Sequence, residues 1–271
     1  TGITKALRVF RVVPADDAVA EGGKGDGSSW KDAYRGDIHE AYTQAGVYRG
    51  EVWLKKGVYD ATEVIQLRSN VALLGGFAGT ETDAKYRDPK KNVTVITGDT
   101  NRDNYYTLTG AVAGENAKLN VFDYENMVFN EPSYKPTKTR YWKNNGGNAE
   151  DVFSSFVGGG YVTNCVIDGV SFVGFARAAI NVPVEAELRL TRSRILACNT
   201  SQVRDMEIAG VVVYGTLYAE DCDFMATYTP LSFLDAGAAY TKPNSLVNCR
   251  SSNGNAPFDR ISLVTNLNIV L

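Results

Sequence analysis

Apolar and polar positions alternate along most of this chain in short runs, the period-two signature of β-strands with one buried face. Toward the end one phrase recurs: Tyr161-Val-Thr-Asn164-Cys165, Leu188-Arg-Leu-Thr-Arg192-Ser193, Leu217-Tyr-Ala-Glu-Asp221-Cys222 and Leu246-Val-Asn248-Cys249. From Cys165 to Ser193 is 28 positions, to Cys222 a further 29 and to Cys249 a further 27. An interval this regular predicts a solenoid, whose repeats bury their apolar faces against their neighbours and are not stable alone. Strand-like repeats of this length fit stacked coils best. The predicted fold class is therefore all-β, a parallel β-helix forming a single domain over residues 1–271, with like residues in columns along its axis. The repeat places Cys165, Cys222 and Cys249 in one phase, and Asn164, Arg192, Asp221 and Asn248 in another. Cysteines in that inward phase read as buried free thiols acting as small hydrophobes, not as disulfides.

The first third holds the one helical period. Trp30, Tyr34, Ile38, Ala41, Tyr42 and Ala45 recur at helical spacing after Ser28 or Ser29 as cap, with Asp32 in the first turn and Gly46 as stop. The pattern predicts an amphipathic helix over 28–46, read as the N-terminal lid on the open apolar end of the stack. His39 lies beside its apolar stripe and reads as a partly covered surface histidine. Around the helix, short strands are predicted at Leu7–Pro14, Glu51–Leu54, Gly57–Tyr59, Val64–Leu67, Val71–Leu74 and Asn92–Thr97, with further strands at 100–113 and 118–123. The far end, Ile261–Leu271, reads as a strand pair without a lid. An uncovered strand edge invites aggregation, so further chain or a partner is expected there, the former preferred. An opening Thr1 in place of Met suggests a mature or trimmed product.

Several early phrases carry a resemblance. Gly27-Ser-Ser-Trp30 before a helix, Val52-Trp-Leu-Lys-Lys-Gly-Val-Tyr59, Asn70-Val-Ala-Leu-Leu-Gly-Gly-Phe-Ala-Gly-Thr-Glu-Thr82, Tyr86-Arg-Asp88 and Asn92-Val-Thr-Val-Ile-Thr-Gly-Asp99 follow one another. Over roughly residues 25–100 this resembles the opening of secreted bacterial right-handed parallel β-helix proteins, pectate-lyase-like and polymorphic-outer-membrane-protein-like. The resemblance implies a right-handed β-helix and an extracellular or bacterial cell-surface location. It does not choose a function, because adhesins and polysaccharide-degrading enzymes share such opening coils.

From Tyr124 to Asp151 the alternation fails in a Pro-, Asn- and aromatic-rich excursion, predicted as a long loop. Long loops on rigid frameworks often carry binding, and Tyr134, Arg140, Tyr141, Trp142 and Lys143 could stack on sugar rings and meet acidic groups. The competing reading folds these aromatics back on the flank of the stack.

Composition narrows the chemistry. With 28 basic against 31 acidic side chains there is no cationic surplus to hold nucleic acid or an anionic membrane. No apolar stretch approaches the roughly 18 residues of a membrane-spanning helix. A single histidine leaves no Ser-His-Asp or Cys-His arrangement, and no cysteine spacing suits zinc. Carboxylate chemistry is open through Asp168, Asp205, Glu207, Glu220, Asp221 and Asp223, which could pair for glycoside hydrolysis or hold Ca2+. Asp221, in phase with Asn164 and Asn248, reads more simply as a turn residue. A lyase would instead use arginines, among which Arg189, Arg192 and Arg194 share one coil with Arg177 and Arg204 nearby. Arg192 is placed outward by its phase. Weak catalytic candidates are thus Arg192, Arg194, Asp221 and Asp223, with no cofactor required and no metal site assigned. The function expected first is a structural, adhesive or glycan-binding module, the alternative a polysaccharide lyase or glycoside hydrolase acting on an acidic polysaccharide.

Overall fold

The computed structural model describes residues 7–102, 122–129, 161–175, 178–198, 209–225, 231–234 and 243–251, together with the backbone of strands Tyr105–Leu108, Ala117–Asn120, Tyr141–Lys143 and Leu267–Val270. The chain is mostly β, with a single α-helix among the described residues and three parallel sheets.

The longest sheet runs Tyr34–Arg35, Val9–Val13, Glu51–Lys55, Ala72–Phe77, Val162–Asp168, Ala186–Thr191, Thr216–Glu220, Asn244–Val247 and Leu267–Val270, each parallel to the next. The second runs Gly57–Asp60, Thr94–Thr97, Ser171–Val173, Arg194–Leu196, Asp223–Met225 and Arg250–Ser251. The third holds Ile180–Val182, Val211–Val213 and Leu231–Phe233. From Val162 the chain visits the long, second and third sheets in turn, three times over, before returning to the first two.

Alternation decides what each strand buries. In the long sheet Phe10, Val52, Leu73, Ile167, Leu190, Ala219 and Leu246 stand in register and are buried. In the second, Tyr59, Ile96, Phe172, Ile195 and Phe224 form the matching column. Ile180, Val211 and Leu231 supply the third, and all three columns meet in one core. Residues one position away point outward, as period two requires.

The turn from the long sheet to the second recurs four times in the same geometry. Gly169, Arg192, Asp221 and Asn248 take the left-handed backbone with φ of 71, 47, 54 and 51°, and Val170, Ser193, Cys222 and Cys249 follow, all buried. Asn and Asp tolerate this conformation and glycine adopts it without cost. At Gly169 a side chain is also excluded, because a Cβ would lie 2.7 Å from Pro89.

This turn corrects the expected phase. Cys222 and Cys249 share a position, but its counterpart in the earlier pass is Val170, while Cys165 pairs with Leu188 in mid-strand. The Asn164-Cys165 phrase belongs to a second left-handed site: Asn164 has φ 55°, sits at a register shift between Val162 and Cys165, and donates from Nδ2 to Asn70 Oδ1, in the turn before Ala72–Phe77, at 3.2 Å. All four cysteines are buried free thiols.

The helix is shorter than the sequence pattern suggests, spanning Ile38–Tyr48 and not 28–46. Its cap is Asp37, whose side chain accepts from Glu40 N–H at 2.8 Å, because Gly36 (φ 70°) turns the chain just before it. Ser29 instead bonds Asp32 within a separate turn. Trp30 packs with Trp53 and Phe77 on the outer side of the long sheet, and Tyr34 belongs to a two-residue strand. Gly46 lies inside the helix, where a Cβ would fall 2.1 Å from the Arg68 side chain. Ile38, Ala41, Tyr42 and Ala45 cover the inner face of the first strands, and Tyr42 Oη reaches Cys165 Sγ at 3.3 Å.

Two further expectations change. Residues Val64–Leu67 form no regular strand, although Ile65 and Leu67 are buried. The segment 124–151 is not one open loop: Val128–Phe129 pairs antiparallel with Phe122–Asp123, and Tyr141–Lys143 pairs antiparallel with Tyr105–Leu108. Phe122, Tyr124, Met127 and Phe129 pack on Val95, Val173 and Leu196, so the hairpin covers the outer face of the second sheet. The strands expected at 100–113 and 118–123 likewise leave the parallel stack, since Ala117–Asn120 joins Tyr105–Leu108 antiparallel.

Candidate functional site

The arginines and acids singled out in the sequence are assembled into two ion clusters. Asp168 ends its strand facing outward, and Arg192 reaches it from the turn of the next pass, Nε to Oδ1 at 2.9 Å and Nη2 to Oδ2 at 2.6 Å. Arg87 donates to the same Oδ2 at 2.6 Å and to Gly75 O at 3.0 Å. The Asp168 hydrogen bond, opposed in part by burial, raises the Arg192 pKa further above its ordinary value. In the second sheet Arg194, Asp223 and Arg250 stand in one outward column. Asp223 takes Arg250 through both oxygens and lies 3.4 Å from Arg194 Nε. Arg194 also lies over the Phe129 ring, 4.7 Å from its centroid.

Asp221 and Glu220 are exposed, Asp221 as the left-handed turn residue its phase implied. Arg189 lies 5.9 Å from the Tyr218 ring centroid on the outer face of the long sheet. Among the described residues no three of His, Cys, Asp or Glu converge as metal ligands. Tyr141, Trp142 and Lys143 fall on one short strand, whereas Tyr134, Arg140, Arg177, Arg204, Asp205 and Glu207 lie outside the described residues.

A groove that the sequence did not announce lies at the start of the second sheet. It encloses about 780 Å3 between the 14–16 turn, the first turn of the helix, the 57–65 segment and the 122–129 hairpin. Its apolar wall includes Ile38, Val58, Ile65, Ile96 and Met127, and its polar rim Asp16, Arg35, Asp37, His39, Asp60, Glu63 and Arg102. Arg102 is fixed there by Asp60 Oδ1 at 2.5 Å and by the Asp99 carbonyl, with its guanidinium 4.4 Å from the Tyr124 ring centroid. Tyr124 bonds Thr97 at 3.0 Å and Asp99 at 3.2 Å, and burial pushes its hydroxyl well above its usual pKa. His39 Nδ1 lies 3.3 Å from Glu63 at the mouth. An apolar wall beside paired charges, in a volume of this size, suits a small polar ligand with one apolar face. The residues come from five separate stretches of chain, and only His39 drew attention beforehand.

Among the described residues no helix is long and apolar enough to cross a membrane. No family model, curated protein or solved structure matches the chain.

Proposed function

We propose that the chain is a right-handed parallel β-helix module of a secreted or cell-surface bacterial protein, with a structural, adhesive or glycan-binding role. Repeated passage through three parallel sheets, in-register columns and one recurring turn are what stacked coils of a solenoid require, with the helix covering apolar surface at the start. The early phrases that resemble bacterial β-helix proteins support the same reading.

The observation that carries the non-catalytic role is the pairing of the arginines. A base must accept a proton, yet Arg192 is gripped through two nitrogens by Asp168 and held more firmly in its charged form. Arg194 likewise shares Asp223 with Arg250. Sugar contact then falls to the groove beside Tyr124 and to Tyr134, Arg140, Tyr141, Trp142 and Lys143, as the sequence pattern leads one to expect. The lyase or hydrolase alternative draws on the exposure of Arg192, whose side chain stays 50% accessible beside Asp168.

The two separate on incubation with uronate-containing polysaccharides while absorbance of unsaturated products and reducing ends is followed. Retention of a glycan without turnover, weakened by Asp60→Asn or Trp142→Ala, is the expected result. Turnover abolished by Arg192→Ala overturns it.

A further inference from the structure

Cys222 and Cys249 stand directly one over the other. Glu220 pairs with Val247 just before them and Asp223 with Arg250 just after, so the intervening two-residue turns stack residue on residue. Asp221 N–H donates to Val247 O and Arg250 N–H to Cys222 O, both at 3.0 Å, which ties the turns together. Cys222 Sγ meets the Leu190 and Glu220 carbonyls at 3.3 Å, and Cys249 Sγ meets the Val247 carbonyl at 3.4 Å. Residues opposed on neighbouring strands have Cα atoms about 5 Å apart, inside the roughly 4.4–6.8 Å that a disulfide spans. Earlier passes put Ser193 and Val170 at this position, while Cys165 meets Tyr42 and Cys198 bonds the Leu196 carbonyl.

We propose that Cys222 and Cys249 are a redox pair that closes to a disulfide between successive passes when the chain meets a small-molecule disulfide. Cys249 attacks first. It keeps 7% of its surface exposed against 0% for Cys222, and the adjacent Cys222 thiol favours its thiolate, lowering its pKa while that of Cys222 rises. The Cys249 thiolate attacks one sulfur of the reagent, breaks its S–S bond and expels one thiolate. The Cys222 sulfur then attacks the Cys249 sulfur of the mixed disulfide and expels the second. The protein loses two hydrogens, and its two protons end on the two released thiols. The link ties two successive passes covalently, whatever ligand the module binds.

The test exposes the full chain to glutathione disulfide, then denatures, alkylates and maps the peptides by mass. Two of the four thiols are expected to disappear into one cross-linked Cys222–Cys249 peptide pair, reversed by dithiothreitol. Cys222→Ser is expected to accumulate a mixed disulfide on Cys249, and Cys249→Ser to leave its remaining thiols unmodified. Four alkylated thiols after treatment, a lasting mixed disulfide on Cys249 in the unsubstituted chain, or a link through Cys165 or Cys198 overturns the proposal. The map of the unsubstituted chain decides alone if a serine variant fails to fold.

Discussion

Arg192 holds Asp168 through two hydrogen bonds, across a separation of 24 residues in sequence and one strand in space. Arg87, 81 residues away from Asp168, closes the cluster with a side chain only 7% exposed. Removing the shared carboxylate leaves that buried guanidinium without its counter-charge. Asp168→Ala is therefore expected to cost about 3 kcal/mol. Arg192→Ala, which leaves the Arg87 pair intact and removes a half-exposed partner, is expected to cost about 1 kcal/mol or less. Urea unfolding of both variants measures the difference, and equal losses would contradict this assignment.

The recurring turn gives a backbone prediction. Asn248 has φ 51° and an exposed side chain, so Asn248→Gly is expected to be neutral or slightly stabilising. Asn248→Val forces a β-branched residue into the left-handed region and is expected to cost about 1–2 kcal/mol. Thermal melts of the two variants against the parent are the measurement.

Inward and outward positions on one strand should differ sharply. Leu190 is fully buried in the central column, whereas Arg189 beside it is exposed. Leu190→Ala is expected to cost about 3 kcal/mol through the cavity it leaves, and Arg189→Ala within about 0.5 kcal/mol of zero. Denaturant midpoints provide the check.

Acid should loosen the 78–81 loop. Burial raises the Glu81 pKa, but the N–H groups of Ala78 at 2.7 Å and of Thr80 and Gly79 at 3.0 Å outweigh it and leave the carboxyl below its usual range. A depressed folded-state pKa gives stability that is present above the unfolded value of about 4.3 and lost as pH falls through the folded one. Glu81→Gln is expected to destabilise the chain at pH 7 and to reduce the loss between neutral and strongly acidic pH. Unfolding midpoints compared across that range test it.

Alkali acts through Cys165. Burial pushes its thiol up to about 11, against smaller opposing hydrogen bonds from Tyr42 and the Arg68 backbone. A raised folded-state pKa means its contribution is intact below the unfolded value of about 8.5 and lost as pH rises through the folded one. Native alkylation at mildly alkaline pH is expected to label Cys249 before Cys165. The reverse order would refute this ranking.

Strand content, the inward Leu188, Leu190, Leu217 and Leu246, the turn role of Asp221 and the burial of Cys222 and Cys249 were all legible from alternation and spacing. These are local properties, because period two assigns a side chain to one face without reference to any partner strand. Register was not local. Asn164-Cys165 and Asn248-Cys249 read alike, yet one lies at a strand irregularity and the other at the turn between sheets, a difference fixed by which columns pack. The helix start depends on more than local chemistry too: Ser29 suits a cap, but the turn at Gly36 makes the helix begin from Asp37.

The sequence by itself determined a mostly β chain with buried thiols and repeated turns, because apolar burial and turn chemistry act over a few residues. Only the tertiary structure decided that Asp168 lies between Arg87 and Arg192, and that Asp60, Glu63 and Arg102 line one groove. Those contacts join residues far apart in the chain, and stacking one pass on another is what brings them within hydrogen-bonding distance.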